Sequence, residues 1–292
     1  MSEHCPVCLS SRVNQETVVD GYSFFGCKTC DTIFLDPHYL IEFDEGRPLR
    51  DYDASYWVNE DEAARSRAYG AALCRVAETL LYARRPVKRF LDLGAGAGYL
   101  LDSLATYLPQ SKSTFWGIER FPPANHSGHP NYIIGTTADL EGKFDAGVCI
   151  EVVEHLTPTQ LKGFARELSQ VCNPDAVFLI NTGMPQFVRA EGYTYLDPVR
   201  RGHIISYGLN AIERIFGPFG FVTHALPGKD WAYLIEYQPS APQKGSMVAA
   251  DRLRFDFSHG GPVDAVQLAE IEAEVNDLVL ANAPVDVREM SY

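Results

Sequence analysis

Two short pairs of cysteines open the chain, Cys5/Cys8 and Cys27/Cys30, each with the spacing Cys-x2-Cys and with residues 9–26 between them. Each pair can present two thiolates from one tight turn, and two pairs complete the tetrahedral shell that zinc takes in structural sites. A closed four-thiolate shell keeps no position open for water, so the expected chemistry is structural Zn2+. A second reactive stretch is RFLDLGAGAGYLLD, residues 89–102, with Asp92, Gly94, Ala95, Gly96 and Gly98 at a strand-to-helix turn. Glycines there let the backbone approach a ligand closely. A dinucleotide would set its pyrophosphate at the helix start, where the charge of Asp92 would oppose it. S-adenosyl-L-methionine carries a cationic sulfonium and ammonium and no phosphate, and it suits an aspartate in that place.

Further carboxylates fit the same ligand. Glu119, followed by Arg120, closes the apolar run FWGIER and is placed to accept hydrogen bonds from both ribose hydroxyls. Ala138 and Asp139 fall where the loop after a third strand borders the adenine, and Glu151 ends the strand FDAGVCI at the ligand side. Two histidines are candidate general bases, His155 in EVVEHL and His203 in RRGHIISY. Glu151, Glu154 and His155 offer oxygen and nitrogen donors to Mg2+, although a role in shaping the pocket and capping a helix is the preferred reading of that motif. Arg189, Arg200 and Arg201 are candidates for gripping a phosphate or carboxylate on the acceptor, with a solvated surface as the competing explanation. Tyr52, Tyr56 and Trp57 either fold over the cofactor or pack in the core.

The elements that must position these groups follow from hydrophobic patterning. From about residue 50 to 240, short apolar runs alternate with helical patterns, which predicts an α/β sheet with parallel strands. Strands are expected at VKRFLDL, STFWGIE, NYII, FDAGVCI, AVFLINT, FVTHAL and WAYLIEY, and helices at YLLDSLATYL, TPTQLKGFARELSQV and LNAIERIFGPF. Asn173 and Pro174 are read as the helix stop before a strand beginning at Ala176. Three parts are expected: a zinc ribbon over 1–45, a cofactor-binding domain over 46–240, and a linker with a terminal helix over 241–292. In that helix Leu268, Ile271, Val275 and Leu278 share one face, suited to pairing with another subunit or to docking on its own domain.

Composition narrows the partners. The formal net charge of −13 disfavours nucleic acid, whose affinity rests on Lys and Arg neutralising phosphates. The ribbon is itself acidic, with Arg12 and Lys28 against Glu3, Glu16, Asp20, Asp31, Asp36, Glu42, Asp44 and Glu45. No apolar run is long enough to span a bilayer, and MSEHCPVC has neither the basic nor the apolar part of a secretory signal. The expected setting is cytoplasmic, where cysteines bind metal more often than they form disulfides.

Together, LDLGAGAGYL, the Glu of GIE and FDAGVCIEVVEHL resemble class I S-adenosylmethionine-dependent methyltransferases, especially the ubiquinone-biosynthesis O-methyltransferase-like branch. The four-cysteine ribbon followed by YDASYW is similar to bacterial methyltransferases of sugars, glycans and secondary metabolites. The resemblance implies a Rossmann-like seven-stranded sheet with an antiparallel last strand. It also implies Asp92, Gly94, Gly96 and Glu119 at the cofactor, and O-methylation of a small molecule or a sugar or glycan; the arginines above would suit an anionic one. Methylation at carbon or nitrogen, an RNA substrate, an NAD-dependent oxidoreductase and a non-catalytic scaffold are the competing readings. The run IEVVE, where base-methylating enzymes carry Asn/Asp-Pro-Pro-aromatic, weighs against nucleic-acid bases.

Overall fold

The first two strands form a hairpin, because Asp20 and Gly21 take φ of 50° and 86° and form the tight turn that right-twisted strands require. It joins β1 (Val13–Val19) to β2 (Tyr22–Cys27), and β3 (Ile33–Leu35) adds antiparallel to β2. The computed structural model describes residues 4–239, the segments 245–249 and 252–256, and positions 269, 272 and 273. Two compact units are distinguished, Met1–Pro239 and Ser240–Tyr292.

Helices α1 (Pro37–Asp44), α2 (Ala54–Ala68) and α3 (Ala71–Tyr82) follow, none of which the apolar pattern announced. The start of α2 is nonetheless set locally, by Asp53 accepting from the backbone N–H groups of Ser55 and Tyr56. Next come β4 (Phe90–Leu93), α4 (Tyr99–Tyr107), β5 (Phe115–Glu119), β6 (Tyr132–Ile134), β7 (Phe144–Ile150) and α5 (Pro158–Gln170). Helix α5 starts in a reciprocal cap. Thr157 Oγ1 accepts from Gln160 N, and Gln160 Oε1 accepts from Thr157 N. Then follow β8 (Cys172–Asn181), α6 (Pro185–Ala190), β9 (Ile205–Ser206), α7 (Leu209–Phe216), β10 (Phe221–Ala225) and β11 (Ala232–Tyr237).

The main sheet has seven strands in the order β10-β11-β8-β7-β4-β5-β6. Strands β8, β7, β4, β5 and β6 are parallel, and β11 runs antiparallel to both β8 and β10. This is the Rossmann-like arrangement expected from the alternating pattern. Residues Phe144–Cys149 are buried throughout, as a central parallel strand covered on both faces requires. From β4 the chain winds first to β5 and β6, then crosses to β7 and β8. The carboxyl ends of β4 and β7 therefore flank the switch point, where open α/β sheets bind ligands.

A smaller antiparallel sheet, β1-β2-β3-β9, unites the cysteine-bearing hairpin with the segment after α6 through the pairs Ile33↔Ser206 and Phe34↔Ile205. Phe24, Phe34, Ile33 and Leu35 are fully buried in the same apolar core as Leu91, Phe178 and Ile180 of the main sheet.

One expectation is corrected. Asn173 and Pro174 do not stop a helix; β8 already begins at Cys172, which pairs with Phe144 ahead of a register shift between Phe144 and Ala146. Asn173 Nδ2 donates to Asp145 Oδ1 at 2.7 Å across that irregularity, a place where a strand tolerates proline. The second unit, expected to hold a linker and a terminal helix, also contains an antiparallel pair, β12 (Gly245–Ala249) with β13 (Arg252–Asp256), and its described positions 269, 272 and 273 are helical. Leu268, Ile271, Val275 and Leu278 lie outside the described residues. Among the described residues no helix is long and apolar enough to cross a membrane.

Candidate functional site

The four early cysteines converge. Cys5 Sγ lies 3.6 Å from Cys30 Sγ and Cys8 Sγ lies 3.5 Å from Cys27 Sγ, and all four sulfurs fall within 4.8 Å of one another. A zinc ion at about 2.3 Å from each sulfur sets tetrahedral edges of about 3.8 Å, so the spacing suits it. Val7 N and Thr29 N each donate to a cysteine sulfur at 3.4 Å, the outer contacts that orient thiolate ligands. Burial pushes the Cys8 thiol up to about 12. His4, next to the cluster in sequence, is not part of it.

The second site is a cavity of about 300 Å³ at the switch point. Ten of the residues singled out from sequence line it: Tyr56, Trp57, Asp92, Gly94, Ala95, Gly96, Glu151, His155, Arg201 and His203. Gly94 sits at φ +73°, and a Cβ there would come 2.5 Å from the Val152 side chain, so only glycine fits the turn. Asp92 is 5% exposed, and burial, reinforced by the charge of Glu119, pushes its carboxyl up to about 7. A buried carboxyl beside an open cleft is prepared for a cationic ligand.

Trp57 covers the glycine turn. Its Nε1 donates to Phe121 O at 3.0 Å, and its ring would lie 3.2 Å from a Cβ on Gly96. Glu119 accepts from Gly96 N at 2.9 Å and from Phe121 N at 2.8 Å, which stitches the end of β5 to that turn. Gly98, Glu119, Arg120, Ala138 and Asp139 do not line the cavity. Asp139 instead accepts from Thr136 N at 2.8 Å in a capping box, and Arg120 lies over the ring of Phe121.

Behind the cavity stands a buried acid–base cluster. Glu154 is wholly buried, accepting from Tyr195 Oη at 2.6 Å and from Thr182 Oγ1 at 3.0 Å. Glu151, held at φ +54° at the end of β7, accepts from Asn181 Nδ2 at 2.8 Å and lies 3.2 Å from Tyr195 Oη. A non-glycine residue in that conformation stores local strain, as functional positions often do. Burial first, then the neighbouring Glu154, pushes Glu151 up to about 8, so the pair shares a proton at neutral pH. A protonated Glu151 can donate to Tyr195 Oη while Tyr195 donates to Glu154.

The two histidines meet beside this pair, with ring centroids 4.8 Å apart. His203 Nδ1 lies 2.8 Å from Tyr195 O and His155 Nδ1 lies 3.1 Å from Gly202 O. Each Nδ1 therefore carries the proton, and each Nε2 keeps its lone pair. Burial lowers both from the usual imidazole range, His203 the more strongly. His203 Nε2 stands 3.9 Å from Glu154 Oε1.

One atom each of Glu154, His155 and His203 lie within 4.8 Å of one another, a different trio from Glu151, Glu154 and His155. The carboxylates of Glu151 and Glu154 are already hydrogen-bonded, and two imidazoles suit Mg2+ poorly. This favours the pocket-shaping reading of the motif.

Tyr195, Glu60 and Arg67 were not singled out from sequence. Along α2 the lining positions Tyr56, Trp57, Glu60, Ala63, Ala64, Arg67 and Ala68 recur at helical spacing. That periodicity is the signal that could have found Glu60 and Arg67, but it is carried by polar and small residues. No local motif marks Tyr195.

Comparison with known proteins adds the following. The sequence model of a family described as a methyltransferase domain matches residues 63–226. Among solved structures, a SAM-bound amino pentose methyltransferase from Micromonospora echinaspora is 16% identical, with 62% of this chain and 96% of that chain covered and a TM-score of 0.46. A Burkholderia thailandensis 1,6-didemethyltoxoflavin-N1-methyltransferase is 15% identical, with 76% and 96% covered and a TM-score of 0.43. Among curated proteins, the alanine–tRNA ligase of Caulobacter vibrioides is 53% identical over 53 residues, 18% of this chain and 6% of the ligase. That of Stenotrophomonas maltophilia is 28% identical over 202 residues, 53% of this chain and 23% of the ligase. The chain thus spans less than a quarter of the length of these curated relatives.

Proposed function

Because the chain belongs to this methyltransferase-domain family, we propose that it transfers a methyl group from S-adenosyl-L-methionine to a hydroxyl of a small molecule, sugar or glycan. The observation that carries this reading is the convergence of the Asp92–Gly96 turn with Glu151, His155 and His203 on one cavity. The motif Glu151-Val-Val-Glu154-His155 supports placing the chain beside the ubiquinone-biosynthesis O-methyltransferase-like branch. The sulfur spacing of the ribbon supports structural Zn2+, and clustered thiols of that kind suit a reducing, cytoplasmic setting.

The cofactor supplies an activated methyl group on its sulfonium. The protein's own residues bind, orient and exclude water. Asp92 opposes the cationic end of the cofactor, and the glycines bring the backbone against it. Trp57 and Tyr56 wall the cleft from solvent. His203, which lines the cavity, would take the acceptor's hydroxyl proton on Nε2 as the oxygen attacks the methyl carbon and S-adenosylhomocysteine leaves. The resulting imidazolium is stabilised by Glu154, which Tyr195 and Thr182 hold in place.

S-adenosylhomocysteine is expected to bind and to raise the melting temperature, and NAD is expected to do neither. With an acceptor panel of catechols, hydroxy acids and free sugars, His203→Gln should lower kcat by about 10²–10⁴ while leaving S-adenosylhomocysteine affinity unchanged. His155→Gln serves as the companion variant. The acid limb of kcat should lie below the ordinary imidazole value of about 6.5, because His203 must be neutral to act. Binding of NAD in place of S-adenosylhomocysteine would sink the cofactor assignment. Undiminished kcat in both histidine variants would sink the base.

A further inference from the structure

Three arginines in the segment over the acceptor side were candidates for holding an anion, and the structure separates them. Arg189 is consumed by the ribbon: its Nε lies 2.5 Å from Glu16 Oε1 and its Nη1 lies 2.7 Å from Asp31 Oδ1. Arg200 turns back on its own loop, 3.0 Å from Asp197 Oδ2. Arg201 lines the cavity together with His203 and has no ion pair among the described residues. Arg67 of α2 lines the same cavity and lies 3.9 Å from Glu60. In a chain of net charge −13, a half-buried guanidinium without a carboxylate partner beside a candidate catalytic histidine calls for an external anion.

The cofactor brings one carboxylate of its own, and the cavity offers two guanidinium groups. Even with Arg67 engaged by that carboxylate, Arg201 remains. We propose that Arg201 is the acceptor-recognition residue, and that the acceptor is a hydroxylated compound bearing a carboxylate or phosphate. Arg201 stands two residues before His203 on the Asp197–His203 turn, whose Gly202 and His203 N–H groups both donate to Asp197 O. Tyr195 O in turn holds His203. The anion-binding and proton-accepting groups are therefore fixed to one rigid corner. An acceptor gripped at Arg201 has its hydroxyl directed by that corner toward His203. The planar guanidinium forks onto two oxygens, which orients the acceptor as well as attracting it.

This inference rests on the methyl-transfer reading, and the test separates the two. Protein saturated with S-adenosylhomocysteine is titrated with inorganic phosphate and, separately, with benzoate, against chloride at equal ionic strength, by calorimetry and by protein NMR. Saturable binding of at least one anion is expected. Arg201→Gln should weaken it about tenfold or more, Arg201→Lys should retain part of it, and Arg200→Gln should leave it unchanged. Tighter binding of phosphate points to a phosphorylated acceptor, and tighter binding of benzoate to a carboxylic acid. S-adenosylhomocysteine affinity, measured on the same samples, reports folding of each variant. No saturable anion binding to the loaded wild type, or equal affinity in Arg201→Gln, overturns the proposal while leaving methyl transfer standing. Failure of S-adenosylhomocysteine to bind the wild type overturns the methyl-transfer reading itself.

Discussion

Replacing Asp92 by Asn is expected to weaken S-adenosylhomocysteine binding by about a hundredfold or more and, at the same time, to make the ligand-free protein more stable at pH 8. The binding loss follows from removing a charged hydrogen-bond acceptor from a buried position opposite a cation, about 2–3 kcal/mol. The stability gain follows from proton linkage. In the folded, ligand-free chain the Asp92 carboxyl is raised to about 7 by burial and by Glu119, whereas in the unfolded chain it titrates near its ordinary value of about 3.9.

Between those values the folded state holds the extra proton, so stability falls as pH rises and is lowest once pH passes the folded value. The ionised group then costs of the order of 3–4 kcal/mol, and an asparagine avoids that cost. Glu151, raised to about 8, adds a slope of the same sign that remains in both proteins. Urea unfolding at pH 5 and pH 8 therefore distinguishes them, with the wild type losing more stability across the interval. Identical slopes, with ligand affinity within threefold, would remove Asp92 from the cofactor site.

The second large effect concerns the cysteine cluster. Cys30→Ser should leave the purified protein substoichiometric in zinc and lower its melting temperature by about 10 °C or more. Structural zinc contributes folding free energy directly, and here it would tie the Cys5–Cys8 turn to the Cys27–Cys30 end of β2. The loss should reach the catalytic side, because β3 pairs with β9 just beyond His203. Methyl transfer should fall with the metal content, while the seven-stranded sheet keeps its far-ultraviolet dichroism. Cys74→Ser, at an exposed position away from the cluster, should change neither property. A Cys30→Ser protein with full activity and an unchanged transition would show the cluster to be dispensable.

Much of this arrangement was legible in the residues. FDAGVCI reads as a buried parallel strand because Asp145 is its one charged position, and the turn at Gly94–Gly98 could serve few other purposes. Asp92, Glu151, His155 and His203 were found because each ends or follows a readable element. The elements that escaped share a physical cause. β9 has two residues, and only its partner β3 makes it a strand. Helix α2 places small and polar residues toward the cavity, so no apolar stripe betrays it. Tyr195 acts through its carbonyl on His203 and through its hydroxyl on Glu154, contacts that no spacing in the sequence encodes. The start of β8 was misplaced because a strand irregularity shelters the proline that ordinarily signals a break.

Trp57 has an optical consequence. The chain contains three tryptophans, and the other two are engaged elsewhere, Trp116 beneath Arg89 and Trp231 beneath Arg75. Only Trp57 borders the cavity, its indole N–H tied to Phe121 and its ring against Gly96. Filling the cleft changes the polarity around that one indole, so intrinsic emission should shift on titration with S-adenosylhomocysteine. The signal should vanish in Trp57→Phe and survive in Trp116→Phe and Trp231→Phe. The protein thus carries its own fluorescent gauge of occupancy, by which ligands can be ranked without a label and before any acceptor is known.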